Sequence, residues 1–245
     1  MTIYEQILKN KANGQKMFAL LIDPEKCSDE WLCHVISTIN NQSFIISQIL
    51  IFVGGSQLKR SIHHTVEKIK KLTSVPVVMF PGDASQFAEN IDALLFLSLA
   101  SGRNAKYLIE QHIDVAPLIK QAGVETIPTG YILINGNKLT AVEQVSHTTP
   151  YSAENVELIA NTALACELLG QKMVYLEAGS GATHPVPQSV IKATRDAIDI
   201  PLIVGGGIKT PKMMQCAFDA GADLVVVGNH IESHPDELSS FLDIF

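Results

Sequence analysis

The sequence predicts an α/β fold with eight parallel strands closed into a barrel. Eight short apolar runs alternate with longer segments of helical spacing along the chain. The chain has 245 residues, the length a (β/α)8 TIM barrel takes. No linker, low-complexity tract or charge run divides it, so residues 1–245 read as a single domain. An open doubly wound sheet is the rival architecture.

The runs read as strands are FALLID (18–23), ILIFVG (49–54), PVVMFP (76–81), ALLFLS (93–98), VETIPTGYIL (124–133), MVYLEA (173–178), PLIVGG (201–206) and LVVVGN (224–229). Each is too short for a buried helix. Each is rich in Val, Ile, Leu or Phe, as a strand covered on both faces should be. Helical spacing follows in EWLCHVISTINNQ, RSIHHTVEKIKKL, NAKYLIEQHIDVAPLIKQ, SAENVELIANTALACELLG, PQSVIKATRDAI, PKMMQCAFDAG and DELSSFLDIF. The segment after the third strand, ASQFAEN, is a short and weak helix. Residues 134–152 form the least regular stretch, expected to be an extended loop and a lid. A faint repeat supports closure: SVPVVMFPGD resembles DIPLIVGGGI, and DALLFLSLAS resembles DLVVVGNHIE. Those are strands three and four against seven and eight, as a duplicated half-barrel gives.

Composition narrows the function. With 47% hydrophobic and 18% charged residues the chain can build a large core, and disorder is disfavoured. A net charge of −7 argues against nucleic acid as a partner. Cys27, Cys33, Cys166 and Cys216 make no CxxC pair and match no zinc spacing, so reduced thiols and a cytoplasmic location are expected. The start, MTIYEQILKN, does not read as a signal peptide. Apolar runs such as DALLFLSLAS reach only about half of the ~20 residues a membrane helix needs.

In a barrel the active site forms at the carboxyl ends of the strands. The loops after strands seven and eight carry Gly205-Gly206-Gly207 and Gly228-Asn229. Consecutive glycines there suit a phosphate, whose oxygens take free backbone N–H groups, but ordinary tight turns also use glycine. Asp23 closes the first strand ahead of Pro24, Glu25 and Lys26; it is either a Mg²⁺ ligand or a turn cap. Gly54, Gly55 and Ser56 follow the second strand, and Arg103 lies just past the fourth. Tyr175 and Glu177 alternate on one face of the sixth strand, which ends in Ala178-Gly179-Ser180-Gly181. Glu177 either meets substrate hydroxyls, with a proton to accept, or pairs with a buried Lys or Arg. His63, His64, His184, His230 and His234 show no ligand constellation, and GxSxG is missing.

Taken in order, LLIDPEK, IFVGGS, FPGD, SLASGRN, YLEAGSGA, VGGGI and VVVGN resemble the geranylgeranylglyceryl phosphate synthase family, PcrB-type members included. The resemblance runs from about residue 16 to 231. It implies a TIM-barrel, Mg²⁺-dependent prenyltransferase of lipid biosynthesis. Such an enzyme alkylates the 3-hydroxyl of sn-glycerol 1-phosphate with a polyprenyl diphosphate, with geranylgeranyl diphosphate the expected donor. Asp23 and Ser56 would then be the metal site. Tyr175, Leu176, Glu177, Ala178, Gly179, Ser180 and Gly181 would bind the glycerol phosphate, whose phosphate Gly205, Gly206, Gly207, Gly228 and Asn229 would cradle. One branch has a lysine two residues before the strand-one Asp. Here Leu21 stands there, and the IDPEK form resembles the other branch, often dimers or larger rings such as hexamers. Lys26 or Arg103 would supply the missing charge, Arg103 as a diphosphate donor. The prenyl tail would lie in an apolar groove along FPGDASQF, ALLFLSLA and Ile132, with transient membrane contact. A sugar-phosphate isomerase, a flavin enzyme or an inactive phosphate- or lipid-binding barrel are the alternatives.

Overall fold

The computed structural model describes residues 1–55 and 61–245. Its eight strands form a closed parallel barrel in sequence order, so the open sheet is excluded. They are β1 (Met17–Ile22), β2 (Ile49–Val53), β3 (Val77–Met79), β4 (Ala93–Leu99), β5 (Glu125–Leu133), β6 (Met173–Glu177), β7 (Leu202–Gly205) and β8 (Leu224–Val227). Each coincides with an apolar run read from the sequence. β8 closes on β1 with Val226 beside Ala19 and Val227 beside Leu20.

Period-two alternation sorts the side chains into two cores. Ala19, Phe52, Leu95, Tyr131, Tyr175 and Val226 point inward and fill the barrel. Leu20, Ile51, Ile132, Leu176 and Val225 point outward against the helices. Ile132 therefore lies in the layer between sheet and helices and does not line a groove. Its neighbour Tyr131 takes the inward position.

The helices are α1 (Ile3–Ala12), α2 (Asp29–Asn40), α3 (Ile62–Leu72), α4 (Gln111–Ala122), α5 (Ala141–Ser146), α6 (Val156–Leu168), α7 (Gln188–Ala197), α8 (Pro211–Asp219), α9 (Asn229–Ser233) and α10 (Leu238–Leu242). The weak ASQFAEN segment is a single 3-10 turn, Ala84–Gln86. A π-helical turn, Lys106–Glu110, leads into α4. α1 and α9 have no counterpart in the sequence reading. α1 plugs the amino end of the barrel with Ile3 and Ile7, which join the inner core. The Glu125 carboxylate at the start of β5 accepts from the N–H groups of Ile3 (2.7 Å) and Tyr4 (2.9 Å), two donors of the first turn of α1.

Residues 134–152 are more ordered than a loop. α5 interrupts them, started by a capping box of Thr140 and Glu143. Ile134 and Tyr151 pair at the base. The Tyr107 hydroxyl donates to Val145 O (2.9 Å) and Asn104 Nδ2 to Ser146 O (3.1 Å), so α5 is fastened across the barrel mouth. The four cysteines are free thiols. No helix among the described residues is long and apolar enough to cross a membrane.

Candidate active site

A cavity of ≈ 570 Å³ opens at the carboxyl end of the barrel. β6 supplies its most constrained side chain. Tyr175 and Glu177 are successive inward residues of this strand, and Gly205 of β7 lies beside Glu177 in register. A Cβ at Gly205 would stand 3.0 Å from Glu177 Oε2 and collide with the Tyr175 hydroxyl. Gly206 has φ +81°, and a Cβ there would sit 2.8 Å from Ala178 N and 2.6 Å from Gly179 N. A Cβ on Gly207, at φ +70°, would meet His184 O at 2.7 Å. The bareness of GGG is thus already required by the protein's own β6 and the loop after it. Gly206 and Gly207 also line the cavity.

Among the described residues Glu177 has no cationic partner. The Tyr175 hydroxyl and the Gly179 N–H (2.7 Å) donate to its carboxylate instead. Burial pushes its pKa up to about 7, against the pull of those two donors. Burial, then the nearby Glu177 charge, raises Tyr131 and Tyr175 well above the usual phenol value. Both phenols keep their protons at physiological pH.

At the opposite rim Asp23 serves two purposes. Its Oδ1 accepts from Glu25 N (3.0 Å), the turn-capping role. Its Oδ2 lies 3.2 Å from the Lys26 ammonium, and both residues line the cavity. That ammonium is also 3.1 Å from Glu232 Oε2 on α9. Burial lowers the Lys26 pKa, but the charges of Glu232 and then Asp23 outweigh it and the net shift is upward. Burial raises Glu232, with Lys26 opposing. Ser56, the other expected metal ligand, lies outside the described residues. Among the described residues no three His, Cys, Asp or Glu side chains converge as a metal cluster.

The remaining sites divide. Ser180, Gly181, Gly228 and Asn229 line the cavity, and Ser180 Oγ donates to Asn229 Oδ1 (2.8 Å), tying the β6 loop to α9. Leu176 and Ala178 turn their side chains into the outer core, leaving only backbone toward the ligand side. Arg103 is not brought to the cavity. Its guanidinium bends back onto the carbonyls of Gly102 (2.6 Å) and Ala100 (3.3 Å). Among the described residues the lysines that line the cavity are Lys26 and Lys209.

Sequence reasoning passed over Glu232, Lys209 and Tyr131, whereas Phe80 opens the FPGDASQF stretch expected to line the groove. Lys209 lines the cavity from the loop after β7. Its position two residues past the glycines was the available signal. Phe80 and Tyr131 have rings 6.0 Å apart, and each lies near Tyr175, at 5.4 Å. They floor the cavity. They also line a second, apolar cavity of ≈ 110 Å³ under β3 and β4, with Phe87, Leu97, Leu99 and Val115. This groove runs along the FPGDASQF and ALLFLSLA stretches. α5 contributes Val142 and Val145 to both cavities.

Comparison with known proteins bears on this geometry. The PcrB family model matches residues 6–244. A geranylgeranylglyceryl phosphate synthase of Flavobacterium johnsoniae is 48% identical, covering 95% of this chain and 94% of its own. One of Methanopyrus kandleri is 43% identical, covering 76% and 77%. The crystal structure of (S)-3-O-geranylgeranylglyceryl phosphate synthase from Thermoplasma acidophilum, in complex with sn-glycerol-1-phosphate, superposes with a TM-score of 0.89. It is 29% identical and the match covers 99% of this chain and 98% of that one. An N-acetylmannosamine-6-phosphate 2-epimerase from Clostridium perfringens, 15% identical with a TM-score of 0.55, shares the fold alone. A model match over nearly the whole chain, and relatives that keep this length, make the protein a member of the PcrB family.

Proposed function

We propose that this protein is a prenyltransferase joining the 3-hydroxyl of sn-glycerol 1-phosphate to a polyprenyl diphosphate, with geranylgeranyl diphosphate as donor. One observation carries the reading: a cavity holding a buried carboxylate meets an apolar groove at Phe80 and Tyr131. A reaction between a charged polyol and a long hydrocarbon needs that junction. The family relatives named for this synthase support it.

The glycerol phosphate would enter the 570 Å³ cavity with its phosphate at the Gly206, Gly207, Gly228 and Asn229 loops. Backbone N–H groups there serve as donors, and Lys209 adds a positive charge. Glu177 would hold the hydroxyls. As the 3-oxygen bonds to the allylic carbon, the bond from that carbon to the diphosphate oxygen breaks. The hydroxyl proton passes to Glu177, whose pKa of about 7 makes it a competent base near neutrality. The rings of Phe80 and Tyr131 would face positive charge developing at the junction.

The donor set at the rim fits Mg²⁺: a hard carboxylate on Asp23, which lines the cavity and is already paired with a cation. Asp23 would hold the ion, with Ser56 as the second ligand. An ion held there would supply positive charge to offset that of the departing diphosphate.

The test combines sn-glycerol 1-phosphate, Mg²⁺ and radiolabelled prenyl diphosphates of several lengths. A prenyl ether of glycerol phosphate is expected, and no ether from any donor would sink the reading. Asp23→Asn should abolish turnover without unfolding the protein. Full activity in that variant would remove the metal assignment. A homo-oligomer is also proposed. Exposed Ile113 and Leu118 on α4 and Leu168 on α6 support it, and sedimentation as a monomer would exclude it.

A further inference from the structure

We infer that Lys26 is a resident cation that keeps the metal's place on Asp23, and that Glu232 is a positioning residue that retains the ammonium once it is displaced. This rests on the proposed transfer of a prenyl group from a diphosphate. Oδ1 of Asp23 accepts from Glu25 N, the Lys26 ammonium stands against Oδ2 at 3.2 Å, and both residues line the cavity. A divalent ion that takes Asp23 must displace this one contact. The ammonium has somewhere to stay, because Glu232 Oε2 holds it at 3.1 Å from the other side.

The three groups come from different places in the chain. Asp23 and Lys26 sit in one tight turn after β1, closed by Lys26 N donating to Asp23 O (3.0 Å). Glu232 stands on α9, after β8. The Lys26 side chain is 46% exposed and that of Glu232 only 11%, so the lysine is the member free to move. Lysine suits such an exchange, being a compact charge on a flexible stem with three donors that can be shared. Lys26 is the only ion-pair partner of Glu232 among the described residues. Two carboxylates share one ammonium, so a cation that takes Asp23 leaves Glu232 still paired with Lys26. When Asp23 turns to the metal, Lys26 stays on Glu232 and directs its remaining N–H donors into the cavity, toward diphosphate oxygens. It thus does from the loop what Leu21, an apolar residue on the strand, cannot.

The arrangement predicts effects of opposite sign for the same residue. Lys26 competes with a metal alone and assists a metal together with diphosphate. Mn²⁺ serves as a spin-resonance probe on the full-length protein, with no turnover needed. Lys26→Met, with Lys26→Gln as a second variant, should bind Mn²⁺ about fivefold more tightly than wild type, the scale of a partly exposed ion pair. The same variants should bind inorganic pyrophosphate in saturating Mg²⁺ roughly tenfold more weakly. Glu232→Gln discriminates further. Removing a carboxylate from an anion site should by itself tighten pyrophosphate binding. If Glu232 acts by holding Lys26, Glu232→Gln instead weakens it about threefold in wild type and not in the Lys26→Met background. The inference is overturned if the Lys26 variants bind Mn²⁺ no more tightly than wild type. It is equally overturned if Glu232→Gln leaves pyrophosphate binding unchanged or tighter. These titrations read the same whether or not wild type forms an ether, so a failed reaction and a failed inference remain distinct.

Discussion

Glu177 is the residue on which environment and chemistry converge. A carboxyl whose folded pKa is raised holds its proton longer in the folded state than in the unfolded chain. The stability it contributes is full below pH 4.5 and is lost as pH rises to about 7. Glu177→Gln removes this dependence, so its melting temperature relative to wild type should climb between pH 4.5 and 8, measured by thermal denaturation. Activity moves the other way. With Glu177 as the proposed base, wild-type kcat/KM should rise with pH through about 7, and Glu177→Gln should lose at least about 100-fold with that limb abolished. The residue was legible in the sequence because Tyr175 and Glu177 alternate at a strand end. Its partners were not. A Lys or Arg is the usual companion of a buried carboxylate, and nothing in the local sequence shows that a tyrosine two residues back and a glycine N–H two residues on take that place.

At the scale of elements, the strand ends and their loops are coupled through absent side chains. Gly206 pairs a left-handed φ with backbone N–H groups where a Cβ would go. Gly206→Ala should cost about 2–3 kcal/mol of stability, read by denaturant unfolding, and reduce activity by shifting Glu177. On β4, Leu97 and Leu99 line the apolar groove. Leu97→Trp should favour shorter prenyl donors in competition assays; indifference to donor length would place the tail elsewhere. All eight strands were readable from their apolar runs, since a parallel strand is buried on both sides. α5 and α9 were not. Each is only a turn or so long, fixed by a capping box or by contacts with distant segments and not by hydrophobic periodicity. Strand alternation also explains Ile132: choosing the groove wall from hydrophobicity alone selected an outward residue, one position from the inward Tyr131.

At the scale of the molecule the two ends of the barrel divide stability from function. α1 and Glu125 close the amino end, far from the cavity. Glu125→Ala leaves two helix N–H groups without their acceptor and should cost about 1–3 kcal/mol. Chemical unfolding should show that loss while kcat and KM stay near wild type. The sequence hid this plug, because its first residues resemble any short amphipathic helix and its partner lies more than a hundred residues away.

The pairing of β8 with β1 joins the first strand to the last. Asp23 belongs to one side of that seam and Asn229 and Glu232 to the other. A partly folded chain with seven strands in place therefore has a core but lacks the assembled rim that would hold metal and diphosphate. The rim is assembled only when this seam is closed, so bound ligand should act as a clasp that slows its opening.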